Sequence, residues 1–199
     1  MDTARTTARR PTLRLLAAMI VPALLVLGAA RANNGTVVAP GILVHDASPA
    51  QIDLVRWAVG RYEAAGMTLP PLQVYLHDSA AGCGTETGLG FYRDGRLDLC
   101  PGTLINAMTR HTVLHEMAHA WTEQNDSQAV IDRFLRARGL PTWESWNYPW
   151  LQRGWEQAAE IVSWGVGERI LSPRVPDATP DQLASMYQLL TQMPLPAAS

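Results

Sequence analysis

An α+β fold, a small sheet with one β-hairpin beside a bundle of helices, is what this sequence predicts, and three observations carry it. Apolar residues recur at helical spacing in several separate stretches, and a short run from Leu72 to His77 alternates as a strand does. FYRDGRLDL places Asp94 and Gly95 between two strand-like halves, the composition of a tight hairpin turn. Of 199 residues, 47% are hydrophobic and 17% charged, a balance that buries a core.

The N-terminus stands apart from that domain. Arg5, Arg9, Arg10 and Arg14 precede an almost wholly apolar run from Leu13 to Ala30, and Ala30, Arg31 and Ala32 match a small-residue cleavage signal. The expectation is a secretory signal peptide over 1–32, cleaved after Ala32. Left uncleaved, the run is just long enough for a single-span membrane anchor. The Arg9–Arg10 pair raises twin-arginine export, although Pro11 departs from that pattern. The protein is therefore expected to be secreted or otherwise extracytoplasmic, with 33–193 as one domain and 194–199 as a disordered tail.

Within the domain, Ser48 caps and Pro49 opens a helix that runs to about Ala65, where Gly66 stops it. After the strand and the hairpin, Pro101 and Gly102 lead to Thr103, a plausible cap for a second helix that leaves at Asn125, Asp126 and Ser127. Gln128 to Arg138 is a third, closed by Gly139 and Pro141. The stretch RGWEQAAEIVSWGVGERI is strongly helical, and Asp181 to Gln192 makes a last helix.

Charge and cysteine usage narrow the function. Residues 1–32 hold five of the 16 basic and one of the 18 acidic side chains, so the remainder is acidic and nucleic acid is excluded as a partner. Cys83 and Cys100 are the only cysteines, and in an exported chain such a pair forms a disulfide, here stapling the hairpin. The competing role, two metal-binding thiolates, lacks short CxxC spacing. No feature of the sequence specifies an oligomer.

Chemistry concentrates in HEMAH. On a helix His115 and His119 lie one turn apart on one face, so both imidazoles reach a single zinc ion, with Glu116 beside them. Two histidines and one further ligand leave a position for water, whose pKa falls towards about 7, and Glu116 is placed to take its proton. Thr112 to Trp121 is otherwise uncharged, which predicts a buried helix. Two core histidines beside a solvated glutamate would be the bland alternative.

The third ligand is argued by geometry. His111 and Glu123 share the face of the pair, but each is a further turn, about 6 Å, along the axis. The long metzincin form needs glycine and histidine where this chain has Thr122 and Asn125. His45 and His77 read as surface or strand-end histidines. Downstream, Glu156 and Glu160 lie one turn apart on one face, so that one carboxylate can bind zinc while the other accepts a hydrogen bond from a ligand imidazole. Periodicity alone does not say which. Glu144 is the runner-up ligand.

HEMAH followed by EQAAE resembles the gluzincin zinc metallopeptidases, in which HExxH on one helix is completed by a glutamate on a later one. The glutamate, three residues, acidic residue spacing is similar to HtpX-type peptidases, and HEMAHAW with EQAAEIVSWG resembles small secreted bacterial proteins assigned as zinc peptidases. The resemblance covers about residues 104–171. It implies a zincin-like fold, zinc on His115, His119 and Glu156, Glu116 as the catalytic base and Glu160 in support. HtpX-type enzymes span the membrane several times, so their membrane substrates are not carried over.

TWESWNYPWLQRGW crowds Trp143, Trp146, Tyr148, Trp150 and Trp155 together. The leading reading is a loop whose tryptophans complete the core; the second is an aromatic wall over the zinc cleft. Tyr148, Arg153 and Tyr187 are candidates for stabilising an oxyanion. The functional expectation is an exported zinc peptidase acting on a peptide or protein, membrane-bound only if the N-terminal segment stays uncleaved. The alternative is a catalytically degenerate binding protein of the same fold that uses the tryptophan-rich loop at the cell surface.

Overall fold

The computed structural model describes residues 35–83, 89–100, 105–169 and 178–197, all within the unit Asn33–Ser199. The expected signal segment lies outside the described residues. No helix among the described residues is long and apolar enough to cross a membrane.

Among the described residues the architecture is α+β, with a five-stranded mixed sheet and five α-helices. In chain order the elements are β1 (Thr36–Ala39), β2 (Ile42–His45), α1 (Pro49–Ala64), β3 (Leu72–Leu76), β4 (Gly90–Arg93), β5 (Arg96–Leu99), α2 (Ala107–Asn125), α3 (Gln128–Arg138), α4 (Gly154–Val166) and α5 (Pro180–Thr191). The sheet order is β1-β2-β3-β5-β4. β2, β3 and β5 run parallel, while β1 and β4 pair antiparallel at the two edges.

Side-chain alternation sets which face of the sheet meets the helices. Val44, Val74 and Leu97 stand in register across three strands and are buried. Gln73, Tyr75, Arg96 and Asp98 occupy the alternate positions, where the Arg96 guanidinium lies 4.1 Å from the Tyr75 ring centroid. His45 ends β2 buried, stacked on Tyr75 and bonded to Gln73 at 2.7 Å; His77 follows β3 and bonds Asp98 at 2.7 Å. Both are scaffold histidines.

The β4–β5 turn has Asp94 and Gly95 at φ 50° and 76°, the left-handed pair that a two-residue hairpin requires. The Cys83–Cys100 disulfide forms, closing the loop that contains β4.

α2 is the central helix. It starts three residues after the sequence-based expectation: Asn106, not Thr103, is the cap, because Asn106 and Thr109 bond each other's backbone in a reciprocal box. The Tyr62 hydroxyl of α1 donates to Leu114 O at 2.6 Å and ties α1 to the helix's middle. α4 lies against α2 and presents Ala158 and Ala159, both fully buried. Its last carbonyls, Val166 O and Gly167 O, accept from Arg61 of α1 at 2.6 and 3.0 Å, which satisfies groups every helix end leaves open. Tyr187 of α5 packs on Gly165, where an added β-carbon would lie 2.1 Å from the ring, so α4 is fixed from both sides. Met193 and Leu195 also pack on the core.

Candidate metal centre

The first turn of α4 meets the middle of α2. His115 Nε2 and His119 Nε2 are 3.1 Å apart, and Glu156 Oε2 lies 3.3 Å from the first and 3.2 Å from the second. All three residues are buried. Tetrahedral bonds of about 2.0 to 2.2 Å set neighbouring ligand atoms about 3.3 to 3.6 Å apart, and these three separations lie within a few tenths of an ångström of the short end of that range. This nearly equilateral triangle of two nitrogens and one oxygen therefore fits a divalent metal ion.

The electrostatics leave the three groups in different states. Burial pushes the His119 imidazole down to about 4, so it is neutral with a lone pair to give. Burial also acts against Glu156, but contacts from His115 and His119 outweigh it and hold the carboxyl at about 2. For His115 burial lowers the pKa, and the Glu156 contact with the charges of Glu116 and Glu160 more than reverses that, for a net rise.

Glu116 sits beside the triangle under the edge strand β4. Burial first, opposed by the charge of His115 and reinforced by those of Glu156 and Glu160, raises it to about 7, while the Tyr92 backbone N–H acts in the lowering direction. Gly90 makes room for it, since a side chain there would overlap the carboxylate.

Glu160 lies behind the triangle, fully buried, with Oε1 3.4 Å from His115 Nδ1 and Oε2 2.8 Å from His111 Nε2. Among the described residues no carboxylate backs His119 Nδ1 in this way. Its ring instead stacks on Trp155, centroids 4.5 Å apart and planes 14° apart.

The triangle opens into a cavity of about 560 Å³. One wall is β4, an edge strand whose outer backbone groups do not pair with β5. The other is the tryptophan-rich segment. Here the leading sequence expectation needs correction: Trp143 packs inward against Phe134, but Trp146, Trp150 and Trp155 line the cavity, because the chain turns at Thr142–Arg153 and carries them over α2. Trp146 is 73% exposed and stacked under Arg153 at 4.4 Å. Glu144 and Arg153 also line the cavity, whereas Tyr187 is buried in the α4–α5 contact, bonded to Met67 Sδ, and is not an oxyanion group.

Protein-family models, curated proteins and solved structures contain no match to this chain.

Sequence reasoning did not find Gly90, Trp155 as a support for His119, or His111 as a partner of Glu160. His111 was the one with a signal: it stands four residues before His115, as Glu160 stands four after Glu156.

Proposed function

We propose that this chain is an exported, zinc-dependent metallohydrolase of zincin-like, gluzincin-type architecture that hydrolyses amide bonds in peptides or proteins. The triangle of His115, His119 and Glu156, with a buried Glu116 at its side, carries the reading. When bound, zinc supplies Lewis acidity, lowering the pKa of water towards about 7 and polarising a carbonyl.

The protein's own groups do the rest. Glu116 receives a proton from the attacking water as the new C–O bond forms, and delivers it to the amide nitrogen as the C–N bond breaks. Without the metal, burial raises this carboxyl to about 7, the direction that general acid–base transfer favours. His119, neutral, and Glu156, ionised, supply the lone pair and the charge a divalent cation needs. The outer edge of β4, where Tyr92 N–H already faces Glu116, offers its remaining backbone groups to an extended peptide, and Trp146 and Trp150 offer an apolar wall for its side chains. Arg153 is the candidate to steady the carbonyl oxygen. A disulfide fits an oxidising, extracytoplasmic compartment.

The exposed Trp146 favours a second reading, a degenerate binding protein that grips a partner at the cleft rim. A raised, buried Glu116 argues against it, because a purely structural ion needs no base.

The test is hydrolysis of a fluorogenic peptide library by the zinc-loaded exported protein and its Glu116→Gln variant. The expected result is turnover by the wild type and a loss of about 10² to 10⁴ in the variant. Equal rates, or no turnover by zinc-loaded wild type, would overturn the peptidase reading.

A further inference from the structure

Two rows of side chains meet across the α2–α4 contact. His119, His115 and His111 are spaced four residues apart on α2; Glu156 and Glu160 are four apart on α4. The rows run in opposite directions, so Glu156 meets His119 and His115, and Glu160 meets His115 and His111. His111 is thus a full turn from the triangle yet in contact with the carboxylate that backs it.

We propose that His111 is a positioning residue for the metal centre, holding Glu160 so that Glu160 in turn orients His115. The proposal rests on the metal-binding reading above. Glu160 is a fully buried carboxylate, and such a group is costly unless its oxygens face compensating neighbours. Its two oxygens are divided between two imidazoles, Oε2 at 2.8 Å from His111 Nε2 and Oε1 at 3.4 Å from His115 Nδ1. Removing His111 takes away the nearer of them. Oε2 then loses its nearest imidazole, and a shift of the carboxylate moves Oε1 from His115 Nδ1, the contact that bears on the direction of Nε2, the atom facing Glu156. The side chain of His111 is 25% exposed and lines the cleft, so its replacement does not open a sealed cavity in the core.

A competing use of the same residues is a second ion on His111, His115 and Glu160. It would require His115 to give one ring nitrogen to each metal. A supporting carboxylate needs only the ordinary neutral ring.

The experiment is zinc affinity by chelator competition, with stoichiometry, for wild type, H111L, H111Q, E160A and the H111L/E160A double variant, each also melted without metal. H111Q keeps an N–H donor near the Nε2 position. Outer partners of metal ligands are worth about 10 to 100-fold, so H111L should lose affinity by about tenfold and E160A by at least as much. H111Q should regain most of the loss and the double variant should be no weaker than E160A, with affinities compared well below the metal-free melting point of each variant. Unchanged affinity in H111L, additive losses in the double variant, or two zinc ions per chain would each overturn the proposal. A wild type that takes up no zinc overturns the metal-binding reading as well, whereas zinc uptake indifferent to H111L overturns this inference alone.

Discussion

Gly90 and Glu116 are in contact across the α2–β4 boundary: a β-carbon at position 90 would lie 2.6 Å from Glu116 Cγ and 2.7 Å from its Oε1. The edge strand that bounds the cleft thereby also sets where the proposed base, Glu116, can stand. Gly90→Ala should displace the carboxylate, a flexible side chain, without disturbing the three candidate ligands His115, His119 and Glu156. Misplacing a catalytic group by about 1 Å costs on the order of 10²-fold, so peptide turnover should fall by about that factor while zinc content stays at the wild-type value. Turnover within about twofold of wild type would show that Glu116 does not act from this position.

Glu156 and Glu160 share a face of α4 but differ in reach. Glu156 touches both Nε2 atoms of the triangle, and Glu160 touches His115 only at Nδ1. Glu156→Ala should abolish tight zinc binding, whereas Glu160→Ala should weaken it by about 10 to 100-fold. Isothermal titration of both variants checks the order. A Glu160→Ala protein that is metal-free beside a Glu156→Ala protein that binds tightly would exchange their roles.

Asp126, the residue that ends α2, has a carboxyl raised by burial to about 7, and neither oxygen has a hydrogen-bond partner. In the unfolded chain it ionises near about 3.9. Because the folded value is the higher one, its contribution to stability is full below about pH 4 and is lost as pH rises through about 7. Asp126→Asn should therefore be more stable than wild type at pH 8, with the advantage shrinking towards pH 4. Melting curves of the two proteins across that range measure it, and an advantage independent of pH would rule out this origin.

The hairpin was legible because it rests on local geometry, a turn that needs positive φ; spacing placed His115 with His119 and Glu156 with Glu160 on shared helix faces, and the resemblance to gluzincins supplied the expectation that the two faces meet. The disulfide followed from the isolated cysteine pair in a chain whose N-terminal sequence reads as an export signal. β1 and β2 were not legible. They are four residues each, and β1 shows no clean alternation of burial. Nor could the parallel pairing of β2, β3 and β5 be read, since it joins segments far apart in sequence. The start of α2 was misplaced because Thr103 and Asn106 are both good caps and no apolar stripe marks the first turn. Composition counted the tryptophans but not their direction, so Trp155 under His119 and Trp150 near His115 emerged only in three dimensions.

One measurement reaches the central claim directly: a crystal structure of the protein loaded with zinc, with anomalous data collected at the zinc edge. The account predicts a single strong peak per chain, bonded to His115 Nε2, His119 Nε2 and a Glu156 carboxylate oxygen, with Glu116 beside it but not bonded. The same peak should persist in Glu116→Gln. No peak at this triangle, or an ion completed by Glu144 in place of Glu156, would contradict the account.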